Sequence, residues 1–351
     1  MCNIAGYVGK EDAAPILLEM MRREEGFAGG YYTGIATIDE DGRLHHVKVV
    51  GDLAVLLRQT EARRLPGKIG IIHSRSKSGG DAAWAHPFVD KDHQMAYIAN
   101  GAGGFFDSKR DANGVASRLA EEGYVFTSRS ATPVGKYPTL QDGSAVHVSE
   151  VMCALIHALI KEGLPPAEAM RTAYARFPSE IVGLMLHVAD PGALFAARIN
   201  QPLMIGRNQT GVYAATTALA FPEDVDWIMP APPLSALVIK PEAVTIWPIE
   251  LPERVCNIMP WAEGFAAVEK ELAGGKPVGF GALKKATASL WPADQVSQKD
   301  MMLYEILRSL KQKGLISFET VAVPGVEPQT EVVNFRVRLR QPEEIESGRL
   351  G

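Results

Sequence analysis

Short apolar runs that signal strands alternate with helical patterns and punctuated loops over the first two-thirds of the chain, and three helical patterns followed by two strand runs fill the last third. Cys2 to Val8 is a short apolar run that predicts a strand ending at Gly9-Lys10. Glu11 and Asp12 then open a helix to about Glu25, with Pro15 in its first turn and Gly26 as its stop. Gly34–Ile38 and His46–Val50 predict strands flanking a turn at Asp39-Glu40-Asp41-Gly42. Lys68–His73 predicts a further strand before a loop from Ser74 to Asp81. Gln94–Ile98 predicts one that runs into the glycine-rich turn Asn100-Gly101-Ala102-Gly103-Gly104.

Ser149 is placed to cap a nearly all-apolar helix over Glu150–Lys161, a pattern that requires burial between layers. Pro165 and Pro166 open a second helix reaching Arg176. Six strand-like runs follow: Ile181–Ala189, Ala193–Ile199, Leu203–Ile205, Val212–Thr216, Leu234–Ile239 and Val244–Ile249. The composition breaks near Pro252–Pro260. Beyond it come three helical patterns, Trp261–Ala273, Phe280–Trp291 and Lys299–Lys313, and two strands, Leu315–Val323 and Glu331–Leu339. Three helices and a hairpin in that order predict a winged-helix-like unit. The chain therefore reads as an α+β protein with a large domain over residues 1–255, a winged-helix-like domain over 256–342 and a polar tail over 343–351.

Composition bounds this picture without changing it. At 351 residues, 46% hydrophobic and 22% charged, the chain has apolar mass for two cores and is not a disordered or repeat sequence. A net charge of −5 argues against a dominant nucleic-acid or anionic-membrane surface. The last 90 residues are balanced, with 12 basic and 12 acidic side chains over Trp261–Leu350, so nucleic acid is not an expected partner and a protein–protein role is favoured. No run approaches the ~18 uninterrupted apolar residues of a membrane span, so no membrane partner is expected and the cytoplasm is the expected location. Homo-oligomerisation stays open. The three cysteines, Cys2, Cys153 and Cys256, show no metal-ligand or disulfide spacing. No metal and no cofactor are expected, and Cys153 and Cys256 read as packing residues.

Cys2 differs because of its position. Removal of the initiator methionine before a small residue would leave thiol and α-amine on one residue, and an amine with a pKa of ~7.7–8 can act as the base for its own nucleophile. Three further segments gather around this possibility. Met1-Cys2-Asn3-Ile4-Ala5-Gly6-Tyr7-Val8-Gly9 resembles the opening of the class II glutamine amidotransferases. Gly70-Ile71-Ile72-His73-Ser74-Arg75-Ser76-Lys77-Ser78-Gly79 resembles their His-Thr/Ser-Arg segment. Ala85-His86-Pro87-Phe88, twelve residues before Ile98-Ala99-Asn100-Gly101, matches their Ala-His-Pro and Asn-Gly pair in order and spacing. Gly192 to Ala218 is similar to the last strands of the glutaminase domain of glucosamine-6-phosphate synthase.

The resemblance covers roughly residues 2–250 and implies the four-layer αββα fold of N-terminal-nucleophile hydrolases. It implies that Cys2 attacks the side-chain amide of glutamine and forms a γ-glutamyl thioester. Asn100 and Gly101 would form the oxyanion hole, and Arg75, with help from Ser78, would hold the substrate carboxylate. His73 and His86 are expected to be structural. Since the chain has no room for a synthase domain, the ammonia is expected to pass to a separate ammonia-accepting synthase subunit, one resembling the split glutamate synthases. Two alternatives stand beside this expectation. One is an amidase of the same fold for another amide, motivated by Asn3, Tyr31-Tyr32 and Val148. The other is a non-catalytic ligand-sensing regulator.

Overall fold

Short β-branched and aromatic runs between glycine and proline breaks give this chain most of its strands, and the longer apolar stripes give its helices. The computed structural model describes residues 2–132, 134–253, 255, 258–292 and 294–341; Met1, Cys256 and the expected tail over 343–351 lie outside the described residues. In chain order the first elements are β1 (Asn3–Gly9), α1 (Ala13–Ala28), β2 (Tyr32–Ile38), β3 (Leu44–Val50), α2 (Leu53–Gln59), β4 (Ile69–Arg75), β5 (Phe88–Val89), β6 (Met95–Ala102) and α3 (Ala112–Glu121). Then follow α4 (Val148–Lys161), α5 (Pro166–Arg176), β7 (Glu180–His187), β8 (Leu194–Arg198), β9 (Met204–Arg207), β10 (Gly211–Ala215), β11 (Trp227–Pro230), β12 (Ser235–Ile239) and β13 (Val244–Pro248). The chain closes with α6 (Trp261–Leu272), β14 (Val278–Gly279), α7 (Phe280–Thr287), α8 (Lys299–Gln312), β15 (Ile316–Pro324) and β16 (Glu331–Leu339).

Among the described residues, the first 250 build two antiparallel sheets, one ordered β11-β9-β10-β1-β4-β2-β3 and the other β13-β12-β8-β7-β6-β5. Strand alternation sorts their side chains into three cores. Ile4 and Val8 of β1 point inward and meet Ile98, Leu184 and Leu237 of the facing sheet. Their neighbours Ala5 and Tyr7 point outward, under Leu17 and Met21 of α1. The outer face of the second sheet, Tyr97, Met185 and Phe195, packs under Met152 and Ile156 of α4 and Tyr174 of α5. Helices thus lie outside two stacked sheets. Strands buried on both faces read as continuous apolar runs, which is the pattern of β1 and β4. No helix among the described residues is long and apolar enough to cross a membrane.

Four details differ from the sequence expectation. Asn100 and Gly101 are strand residues of β6 and not part of a turn, because β7 pairs with them at Val182 and Ile181. Ser74 and Arg75 likewise extend β4 instead of starting a loop, pairing with Thr33 and Tyr32. Gly26 does not stop α1; the helix runs on to Ala28, and the glycine is needed where a Cβ would press against the Phe335 ring. The cap of α4 is His147, whose Nδ1 accepts from Ser149 N at 3.1 Å, so Ser149 falls in the first turn. α2 and α3 are too short to declare a period, yet each is capped by an aspartate, Asp52 and Asp111.

The unit that begins with α6 is a helix, a short strand, two helices and a hairpin, with its sheet ordered β14-β16-β15. It is plugged by a residue from the other unit. Phe27, at the end of α1, meets Phe280, Tyr304, Phe318 and Phe335 edge-on, with centroids 5.1–6.1 Å away. Asn200 Nδ2 donates to Ser297 O at 2.9 Å, and Arg198 donates to Gln298 Oε1 at 2.8 Å. The two units therefore share a core. Phe27→Ala is expected to cost about 3–5 kcal/mol, the range for emptying a buried aromatic site, read as a lowered midpoint in urea unfolding; a loss under about 1 kcal/mol would show that the ring is not a shared core element.

Candidate active site

The two sheets face each other at the start of β1. Cys2 N donates to Asn100 Oδ1 at 2.9 Å, which ties the first described residue of one sheet to β6 of the other. Asn100 is fully buried, and this bond uses its oxygen and leaves Nδ2 without a partner. Gly101 follows with φ +134°, and a Cβ there would collide with the Glu180 carbonyl. Only glycine fits so close to the neighbouring strand. Cys2, Asn100 and Gly101 line one cavity of about 770 Å³, together with Arg75 and Ser78.

The surroundings of the Cys2 thiol favour its ionised form. Burial raises its pKa, but a hydrogen bond and charge from His73, the charge at the chain start and a backbone bond from Ser76 bring it down to about 6. Ser76 Oγ lies 3.7 Å from the sulfur. His73 Nε2 is held on the Ala99 carbonyl at 3.0 Å, and its ring stacks on His86 at 3.9 Å between centroids. His86 and His147 are pushed well below the usual imidazole range, first by burial and then by neighbouring cations such as Arg75. They are neutral rings that wall the site. His73, expected to be structural, sits beside the thiol.

Arg75 is 1% exposed and no carboxylate among the described residues pairs with it. Its Nη2 donates to Gly79 O at 2.8 Å and to Tyr137 Oη at 3.2 Å, and its Nη1 to Trp84 O at 3.3 Å. The guanidinium lies over the Tyr32 ring at 4.5 Å, with Trp84 and Tyr137 at 5.9 Å. Cation–π contact offsets part of the desolvation of this charge, and an incoming anion would offset much of the rest. Tyr137 Oη also donates to Ser78 Oγ at 3.2 Å, so Ser78 belongs to the same arrangement.

The structure thus brings all five expected site residues to one cavity. The aromatic cage of Tyr32, Trp84 and Tyr137 was not foreseen, because nothing in their local spacing points to Arg75. The cavity wall formed by Lys284, Lys299 and Asp300 of the C-terminal unit was also missed. Asn3 does not crowd the site: its fully buried side chain turns toward α1 and donates to Glu24 O. Val148 lines the cavity, whereas Asp142 is held outside it by Arg129 and Ser144. Away from the cavity Asp90, Asp92 and His157 come together. Their ligand atoms are taken up by one another, by Lys161 and by backbone N–H groups of the 90–95 turn.

No family model matches the chain. It is 30% identical over 250 residues to glutamine–fructose-6-phosphate aminotransferase (isomerizing) of Bartonella quintana, a match covering 70% of this chain and 37% of the relative. The enzymes of the same name from Bartonella henselae and Pseudomonas aeruginosa match at 28% and 26%, over 71% and 77% of this chain and 37% and 40% of theirs. The chain belongs with the class II glutamine amidotransferases. It spans about two-fifths of the length of these curated relatives. The same fold is seen in glutamine phosphoribosylpyrophosphate amidotransferase of B. subtilis, with a TM-score of 0.58, 18% identity, and coverage of 78% of this chain and 58% of that one. A structure of the allosteric regulatory enzyme of purine biosynthesis gives 0.59 and 17%, over 79% and 58%.

For this class II glutamine amidotransferase the thiol environment gives a direct expectation. Alkylation of Cys2 by iodoacetamide should rise with pH through a midpoint near 6, because the thiolate is the reactive form. His73→Gln should move that midpoint upward, since it removes the stabilising partner. Cys153, fully buried and pushed well above the usual thiol range by burial, should stay unmodified across the same range. A Cys2 midpoint at 8 or above in the native protein would contradict this account.

Proposed function

We propose that this chain hydrolyses glutamine to glutamate and ammonia through a thioester on Cys2 and delivers the ammonia to a separate synthase. The observation that carries the reading is the pairing of Cys2 N with Asn100 Oδ1, which leaves Asn100 Nδ2 unpartnered in the cavity that holds the thiol. Once Met1 is removed, that same nitrogen is the free α-amine, held by the same amide oxygen. The thiolate attacks the side-chain carbonyl of glutamine. Asn100 Nδ2 and the Gly101 N–H receive the oxyanion, at a worth of ~2.7–4 kcal/mol per donor in comparable sites. The α-ammonium gives its proton to the leaving nitrogen, ammonia departs, and water then cleaves the thioester.

Arg75 supports an amino-acid substrate, because a buried guanidinium without a counter-ion is a receptor for a carboxylate. Ser78 and Tyr137 orient the same end. The unit that begins with α6 has the helix–strand–helix–helix–hairpin order of a winged helix, and its balanced charge favours docking to a protein partner over nucleic acid. One observation favours an amidase acting on a different amide: Val148 is apolar and Arg75 pairs with no carboxylate among the described residues, so an α-ammonium would have to turn to the cavity's other acids, Asp107, Asp111, Glu180 or Asp300.

Intact mass should show loss of one methionine, and the purified protein should release ammonia and glutamate from glutamine. Cys2→Ala should abolish both products, and Asn100→Ala should lower kcat by about 10²–10³. Arg75→Gln should raise KM by about 10–100-fold, the worth of a charged hydrogen bond. Ammonia release from amides lacking the α-amine but not from glutamine would select the alternative substrate.

A further inference from the structure

The cavity around Cys2 is not closed by the two-sheet domain alone. Lys284 of α7 and Lys299 and Asp300 at the start of α8 line the same space of about 770 Å³. That volume lies well inside the ~300–1,000 Å³ typical of sites for drug-sized ligands, and glutamine is far smaller than such a ligand. The extra wall is rigid. Lys284 Nζ lies 2.9–3.0 Å from the two oxygens of Asp300. The segment leading into α8 is fastened by the Asn200–Ser297 and Arg198–Gln298 bonds, and Phe27 locks the unit behind it. This wall presents two cations against one carboxylate, and Lys299 has no ion pair among the described residues. Arg75, in its own aromatic cage, already provides for the carboxylate of the first substrate.

We propose that this interdomain wall is a second subsite, for an amine that also carries an anionic group, and that the γ-glutamyl thioester is transferred to that amine. The inference rests on Cys2 forming the thioester. The neutral amine nitrogen attacks the thioester carbonyl, the C–N bond forms and the C–S bond breaks. The α-amine of Cys2 takes the proton lost by the attacking nitrogen and passes it to the departing sulfur, which leaves a γ-glutamyl amide and the free thiol. Lys299 would hold the anionic group of the acceptor and set its reach to Cys2.

The experiment supplies glutamine with glycine or L-aspartate as acceptors carrying a carboxylate, and with methylamine as the acceptor without one. Ammonia reports thioester formation, and mass spectrometry reports glutamate against γ-glutamyl product. Glycine or L-aspartate should give γ-glutamyl product where methylamine gives at least about tenfold less. Lys299→Ala should lower the product-to-glutamate ratio by about tenfold, the loss of one charge-assisted contact, and Lys299→Arg should restore much of it. Ammonia and glutamate in equal amounts, with no γ-glutamyl product, would overturn the second subsite and leave glutamine hydrolysis standing. Equal transfer to methylamine, or an unchanged ratio in Lys299→Ala, would overturn the anionic acceptor. Absence of ammonia from glutamine would overturn the hydrolysis reading itself, and this inference with it.

Discussion

One hydrogen bond between facing sheets organises this molecule. Cys2 N reaches across from β1 to Asn100 Oδ1 on β6, and the two-sheet sandwich is what brings these strands opposite each other. The bond sets the chain start at the open edge of the inter-sheet core. It also turns the Asn100 amide so that its oxygen is used and its nitrogen is not. The strands on either side set the neighbouring features of the site. Gly101 must lack a side chain because β7 passes so close, and His73 on the neighbouring strand β4 lies beside the sulfur because β4 pairs directly with β1.

Charge in the cavity is arranged by burial more than by ion pairs. Three imidazoles meet around Arg75 and Cys2, and two of them are held neutral by desolvation and by the guanidinium. Arg75 pairs with no carboxylate among the described residues and is held by ring faces and backbone carbonyls. A low-dielectric site of this kind strengthens each interaction with an incoming carboxylate or a developing oxyanion. The C-terminal unit contributes to the same chamber. Its helices α7 and α8 supply a wall, and its aromatic core closes on Phe27 of α1, so it is joined to the site and not merely attached to the domain.

Much of this was legible in the sequence. The apolar runs placed most strands within a few residues, and Glu331–Leu339 matches its strand end to end, although its buried residues, Val332 and Val337, fall on opposite faces. Cys2, Arg75, Ser78, Asn100 and Gly101 were found by motif, and the sequence comparisons bear out the family that those motifs named. What failed was local grammar read without its neighbours. Asn100-Gly101 has the composition of a turn, yet a paired strand supplies the hydrogen bonds that hold it extended. Gly26 has the look of a helix stop, yet it serves the approach of the Phe335 ring.

By itself the sequence determined the candidate nucleophile, the order of the motifs and the apolar runs that bury two sheets, because these depend on residue type and on spacing along the chain. Only the tertiary structure decided that Tyr32, Trp84 and Tyr137 enclose Arg75, that Asn3 faces away from the cavity, and that Lys284, Lys299 and Asp300 belong to it. These contacts join residues up to about three hundred positions apart. No local period encodes such a meeting; it is set by how sheets and helices stack once their apolar faces are buried.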